Sequence, residues 1–130
     1  LEERTFGEES FSAEIPCWRC SNCGEEIFDA EDRQRWGDAL AAVLAQGRPT
    51  GQKFRFLRKH MELPAKELAA LLAVTPETVS RWEGGKHEIP LAVWALLGVL
   101  VREHRRGEKT TLEDLQRMAQ PSPRQVHFAL

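Results

Sequence analysis

The stretch that most limits what this chain can become is Leu63–Ile89, LPAKELAALLAVTPETVSRWEGGKHEI. Leu68, Leu71 and Leu72 recur at the spacing of one helical face. Pro64 suits the first helical position, where a missing N–H costs nothing. The pattern breaks at Ala73-Val74-Thr75-Pro76. Thr75 is a natural N-cap, Pro76 a natural first helical residue, and Glu77 puts negative charge at the positive end of the helix dipole. In the second helix Val79 and Trp82 share the inner face, while Glu77, Thr78, Ser80 and Arg81 face outward. Gly84-Gly85 then stops it. Two short helices with a common core and an arginine-bearing polar face suit the DNA major groove.

This segment resembles the helix-turn-helix of the Cro/C1/XRE repressors from about Gly51 to Val101. That family shows an arginine in its first helix, E-L-A in its second, and a recognition helix ending in R-W-E-x-G-K. Here these are Arg58, Glu67-Leu68-Ala69, and Arg81-Trp82-Glu83-Gly84-Gly85-Lys86. The resemblance implies a five-helix, lambda-repressor-like domain in which Arg58 and Glu83 pair internally. The turn departs from the pattern in one respect, carrying Ala73 where relatives commonly have Gly.

On this reading Arg81 is the leading base reader, since its fork can donate two hydrogen bonds to guanine O6 and N7, worth about 1–3 kcal/mol of discrimination. Thr78 and Ser80 can bond a base edge, and Glu77 can accept from a cytosine amino group. Lys66 at the start of the first motif helix, Thr75 in the turn, and Lys86 and His87 after the recognition helix are candidates for phosphate contact. The competing structural role for Arg81 is an ion pair with Glu77, its i−4 neighbour, worth a few tenths of a kcal/mol. One recognition helix touches few base pairs, so useful affinity for double-stranded DNA predicts a homodimer on a palindromic operator.

A net charge of −2 looks wrong for a DNA-binding protein until the chain is divided. Residues 1–46 carry eleven acidic side chains against four arginines, a net of −7, whereas residues 47–130 carry fourteen basic against nine acidic, a net of +5. The basic part can approach phosphates and the acidic part must point elsewhere.

The acidic part holds Cys17-Trp18-Arg19-Cys20-Ser21-Asn22-Cys23-Gly24, two overlapping C-x-x-C steps. Thiolates at this spacing followed by glycine are the usual shape of a zinc knuckle. Three cysteines suit metal or free thiols in a reducing cytoplasm better than a disulfide framework. Structural zinc takes four ligands, and no histidine precedes His60. The same absence removes a zinc-deaminase reading of Pro16-Cys17-Trp18-Arg19-Cys20, which needs an upstream H-x-E. Nothing else suggests an enzyme.

The segment Ile15–Phe28, IPCWRCSNCGEEIF, is similar to the second half of the zinc domain of MqsA/YgiT-like antitoxins, which join a four-cysteine module to a Cro/C1-type helix-turn-helix. Cys20 and Cys23 match the second cysteine pair of that family; Cys17 falls where relatives more often have an aliphatic residue, and is a further candidate ligand. The resemblance implies a structural zinc ion whose first cysteine pair is expected upstream of Leu1, and a basic toxin protein bound by the acidic module.

The rest of the chain predicts a mostly α protein. Residues 1–16 read equally as a short hairpin or a tail, with Phe6, Phe11 and Ile15 spaced by polar residues. A helix follows from Asp29 to Gly47, with Trp36, Leu40, Val43 and Leu44 on one face, and Arg48-Pro49-Thr50-Gly51 reads as a hinge. Residues 52–61 form the next helix, with Phe54, Leu57 and Met61 inward and Lys53, Arg55 and Lys59 outward. Pro90 opens a helix apolar nearly all round, leaving Leu96, Val99 or Leu100 for a dimer; Arg102, Arg105 and Arg106 crowd its end. A last helix, capped at Thr110/Thr111, carries the stripe Leu112, Leu115, Met118; Pro121-Ser122-Pro123 breaks it, and Val126, Phe128 and Leu130 alternate like a strand. The expected organisation is an incomplete, acidic zinc-ribbon-like module at 1–30, a linker helix and hinge at 31–50, the helix-turn-helix domain at 51–120 and a tail at 121–130. No stretch has the length and apolarity of a membrane span, and no secretory signal opens the chain.

Three functions remain open: a repressor that is also the antitoxin of a toxin–antitoxin pair, a stand-alone XRE-type regulator, and a protein-interaction module that no longer reads DNA.

Overall fold

The computed structural model describes residues 1–120 and 125–130. Two small antiparallel strand pairs precede six helices among the described residues. The first pair, β1 (Glu2–Phe6) and β2 (Glu9–Ala13), turns at Gly7, whose φ of +62° favours glycine. The hairpin therefore forms, and it docks: Phe6 is buried edge-on against Phe11 and Phe56, with ring centroids 6.1 and 5.5 Å away. The second pair, β3 (Cys17–Arg19) and β4 (Glu26–Phe28), is three residues long on each side and mostly exposed.

Helix α1 (Ala30–Gln46) begins at Asp29, whose side chain accepts from the Glu31 N–H at 2.8 Å. It buries Leu40, Ala41 and Leu44 against α2 (Gly51–His60) and α5 (Leu91–Arg105). Val43, expected on that face, is about half exposed. The contact stripe runs through Ala41 instead, which is fully buried beside Leu40 and Leu44. Trp94 joins the same junction, donating its Nε1–H to the Gly47 carbonyl at 3.0 Å. The linker helix is thus built into the core of the helical domain.

Helices α3 (Ala65–Leu71) and α4 (Pro76–Glu83) form the motif, with Leu68, Val79 and Trp82 in the common core. Pro64 caps α3 rather than opening it, one residue from its expected place. Helix α6 (Thr110–Ala119) follows α5. Its cap differs from the expected threonine box: the Glu103 carboxylate on α5 accepts from the Thr111 N–H and, at 2.9 Å, from its hydroxyl. Of its apolar stripe, Leu112 and Leu115 pack on the core and Met118 is exposed. Leu100, considered for a dimer surface, is buried within the chain, and Leu96 and Val99 are half-buried. Residues 125–130 form no strand, since Val126, Phe128 and Leu130 are exposed with no partner backbone among the described residues. The proline break at 121–123 lies outside the described residues.

Lys53 reverses its expected orientation. It is fully buried, with Nζ donating to Glu9 Oε1 at 2.6 Å and to the Arg48 carbonyl at 3.2 Å. The docked hairpin covers it and supplies the carboxylate that offsets desolvation.

Candidate functional site

The geometry of the two-helix motif starts at the turn. Thr75 Oγ1 accepts from the Thr78 N–H at 3.2 Å and contacts the Thr78 hydroxyl at 2.9 Å, so both threonines are engaged in capping α4. Pro76 occupies the first turn and Glu77 the dipole-favoured position behind it. Ala73 in the turn has φ +55°, the left-handed conformation for which relatives use glycine. At the far end, Gly84 caps the helix and Gly85, at φ +73°, reverses the chain so that the Lys86 N–H returns to the Arg81 carbonyl at 2.9 Å.

Helix α4 is anchored on two sides. Arg58 Nε donates to Glu83 Oε1 at 2.6 Å, a second guanidinium nitrogen reaches Oε2 at 3.3 Å, and the third donates to the Leu63 carbonyl at 3.0 Å. Both partners are nearly buried, so this fork is an internal brace. Gly51 makes the other anchor: a Cβ there would lie 2.3 Å from the Glu83 carbonyl oxygen, so only glycine lets α2 begin against the end of α4.

With Val79 and Trp82 buried, the outward face of α4 presents Glu77, Ser80 and Arg81 as exposed side chains and Thr78 as half-exposed. Arg81 forms neither a side-chain hydrogen bond nor an ion pair among the described residues; its i−4 neighbour Glu77 does not hold it. Lys66 lies exposed in the first turn of α3, and Lys86 and His87 lie exposed in the loop after α4. The loop opens onto a cleft of about 660 Å³ between the hinge and the start of α5. Arg48 lines the same cleft, a residue that sequence reading treated only as hinge. No local motif marks it, because residues 48 and 86 come to the same cleft only through the tertiary fold.

At the cysteine knuckle, β3 leads into a turn closed by Gly24, with φ +73°, whose N–H donates to the Cys20 carbonyl at 2.9 Å. Backbone N–H groups of Cys23 and Asn22 point at the Cys20 sulfur, and with the Cys23 thiol they hold the Cys20 thiol below its ordinary pKa. This is the environment a thiolate ligand needs. Cys17 lies exposed on β3, paired in register with Phe28. Among the described residues no group of three or more His, Cys, Asp or Glu side chains gathers as a metal site. Cys20 and Cys23 lie near each other as a pair, without a full metal site among the described residues.

A family model for the antitoxin component of bacterial toxin–antitoxin systems, MqsA, matches residues 5–109, spanning both the knuckle and the helix-turn-helix. The chain belongs to the MqsA antitoxin family. No curated protein and no solved structure matched it. Membership makes it an antitoxin component and not an enzyme. MqsA proteins generally bind zinc, which agrees with the chemistry of the Cys20–Cys23 turn, and no complete ligand set gathers among the described residues. As an MqsA antitoxin it has a toxin for its counterpart. No helix among the described residues is long and apolar enough to cross a membrane.

Proposed function

We propose that this antitoxin is also a sequence-specific repressor, acting in the cytoplasm as a homodimer that reads a palindromic operator with α4. The observation that carries the reading is the state of Arg81. An arginine with no partner among the described residues projects from a helix whose opposite face is fixed by Val79, Trp82 and the Arg58–Glu83 brace. A free guanidinium on a helix so positioned suits the bidentate contact to guanine, with Glu77, Thr78 and Ser80 beside it on other base edges. Lys66, Lys86, His87 and Thr75 would contact phosphates and fix the register. The acidic N-terminal strands would bind and neutralise a basic toxin, with zinc on Cys20, Cys23 and two further donors stiffening the knuckle.

The test is binding to the DNA upstream of the protein's own gene, with wild type beside Arg81→Ala. Wild type should bind a palindromic duplex steeply better at low salt than at high salt. Arg81→Ala should lose the preference for operator over random duplex while melting at the wild-type temperature. Unchanged preference removes Arg81 as a base reader. Sequence-indifferent binding by the wild type removes the repressor reading.

A further inference from the structure

Cations gather at one place that the recognition helix alone does not explain. The cleft beyond the end of α4 is lined by Arg48 from the hinge and by Lys86 and His87 from the loop, together with Thr50 and a single carboxylate, Glu88. Among the described residues neither the Arg48 nor the Lys86 side chain has an ion-pair or hydrogen-bond partner.

The position of Arg48 is fixed by the fold rather than by its own side chain. Its carbonyl accepts from the buried Lys53 Nζ at 3.2 Å, and the preceding carbonyl, of Gly47, accepts from Trp94 Nε1 at 3.0 Å. Three residues later Gly51 presses directly on the Glu83 carbonyl at the end of α4. The segment whose sequence reads as a hinge is therefore a clamped corner, held against the end of α4. When such a helix enters the major groove with its first turns toward base edges, the chain beyond its last turn meets the sugar–phosphate wall.

We propose that Arg48, together with Lys86 and His87, seats one backbone phosphate of the operator in this cleft. The inference rests on the DNA-reading function above and adds to it a contact from outside the helix-turn-helix. Arg48 supplies affinity and salt dependence but no sequence preference. The acidic strands begin on the amino-terminal side of α1, so Arg48 is the first cation of the basic part of the chain and marks where DNA contact starts.

The experiment is a salt titration of operator binding by wild type, Arg48→Gln and Arg48→Lys, each also measured on a random duplex. Arg48 is exposed, so both variants should melt like wild type. For Arg48→Gln the slope of log Kobs against log salt should shrink by about 0.9 for each protomer bound, with operator and random duplex weakened alike. Arg48→Lys should restore most of the slope. An unchanged slope in Arg48→Gln overturns the phosphate seat while leaving the repressor intact. A change in the operator-to-random ratio overturns it too, by making Arg48 a base reader. If wild type itself fails to bind the operator, the DNA-reading function falls and the phosphate seat falls with it.

Discussion

Truncating Arg58 to alanine isolates the brace beneath α4. Arg58 and Glu83 have side chains only 11% and 13% exposed, and the guanidinium makes three hydrogen bonds, two to Glu83 and one to the Leu63 carbonyl. Arg58→Ala leaves a nearly buried carboxylate without its counter-ion, a change that costs about 3–5 kcal/mol when one member of a buried pair is removed. Set against a total stability of about 5–15 kcal/mol for a domain, that is a large fraction. Urea unfolding followed by fluorescence of the buried Trp82 and Trp94 would read it as a lower midpoint with an unchanged slope. The same reasoning predicts that Arg58→Met with Glu83→Leu recovers most of the loss, because replacing both partners by apolar groups removes the stranded charge. Below its melting temperature Arg58→Ala should still prefer operator over random duplex, since Arg58 lies behind α4. A loss under 1 kcal/mol in Arg58→Ala, or a double variant no more stable than the single one, would refute the brace.

Two further effects follow from local geometry. Ala73→Gly should raise stability by about 0.5–1 kcal/mol, because the left-handed backbone at φ +55° strains any residue with a Cβ and the relief exceeds the added chain entropy; a lower melting temperature would refute this. Cys20 should react with iodoacetamide at lower pH in the folded chain than in urea, since the amides of Cys23 and Asn22 hold its pKa down. The depressed value makes the thiolate's stabilising contribution complete above the unfolded pKa and lost as pH falls through the folded one; coincident labelling profiles in the two states would contradict it.

What could be read along the chain, and what could not, divides by the range of the interaction. The turn chemistry of Thr75, Pro76 and Gly84-Gly85 is local, and it delimits α4 from sequence alone. Asp29 and Gly47 bound α1 for the same reason. Lys53 misleads because a lysine beside polar neighbours reads as solvated, and its carboxylate partner, Glu9, lies 44 positions away on a hairpin that sequence left undecided. Glu103 is equally silent as a cap for α6, since capping rules look for a side chain just before the helix and here it comes from the previous one. The cysteine spacing announces a knuckle, whereas a full ligand set depends on chain meetings that spacing cannot supply.

The hairpin carries the strongest consequence of those distant meetings. A two-stranded ribbon is at best marginally stable alone, so β1 and β2 persist because Phe6 inserts beside Phe56 and Glu9 reaches Lys53. Both anchors are on α2, the helix that also braces α4 through Gly51 and Arg58. The acidic strands and α4 thus share one support, which supplies a physical path between the two parts of the antitoxin. Phe6→Ala should free the hairpin without unfolding the helices, because Phe6 lies at the edge of a core whose centre is Phe54, Leu57 and Leu68. Limited trypsin digestion should then cut after Arg4 much faster than in wild type, while the main unfolding transition shifts only modestly. If cleavage at Arg4 is unchanged, the hairpin is held by something other than Phe6; if the whole chain melts with it, α2 draws its stability from the hairpin and the shared support runs in the opposite direction.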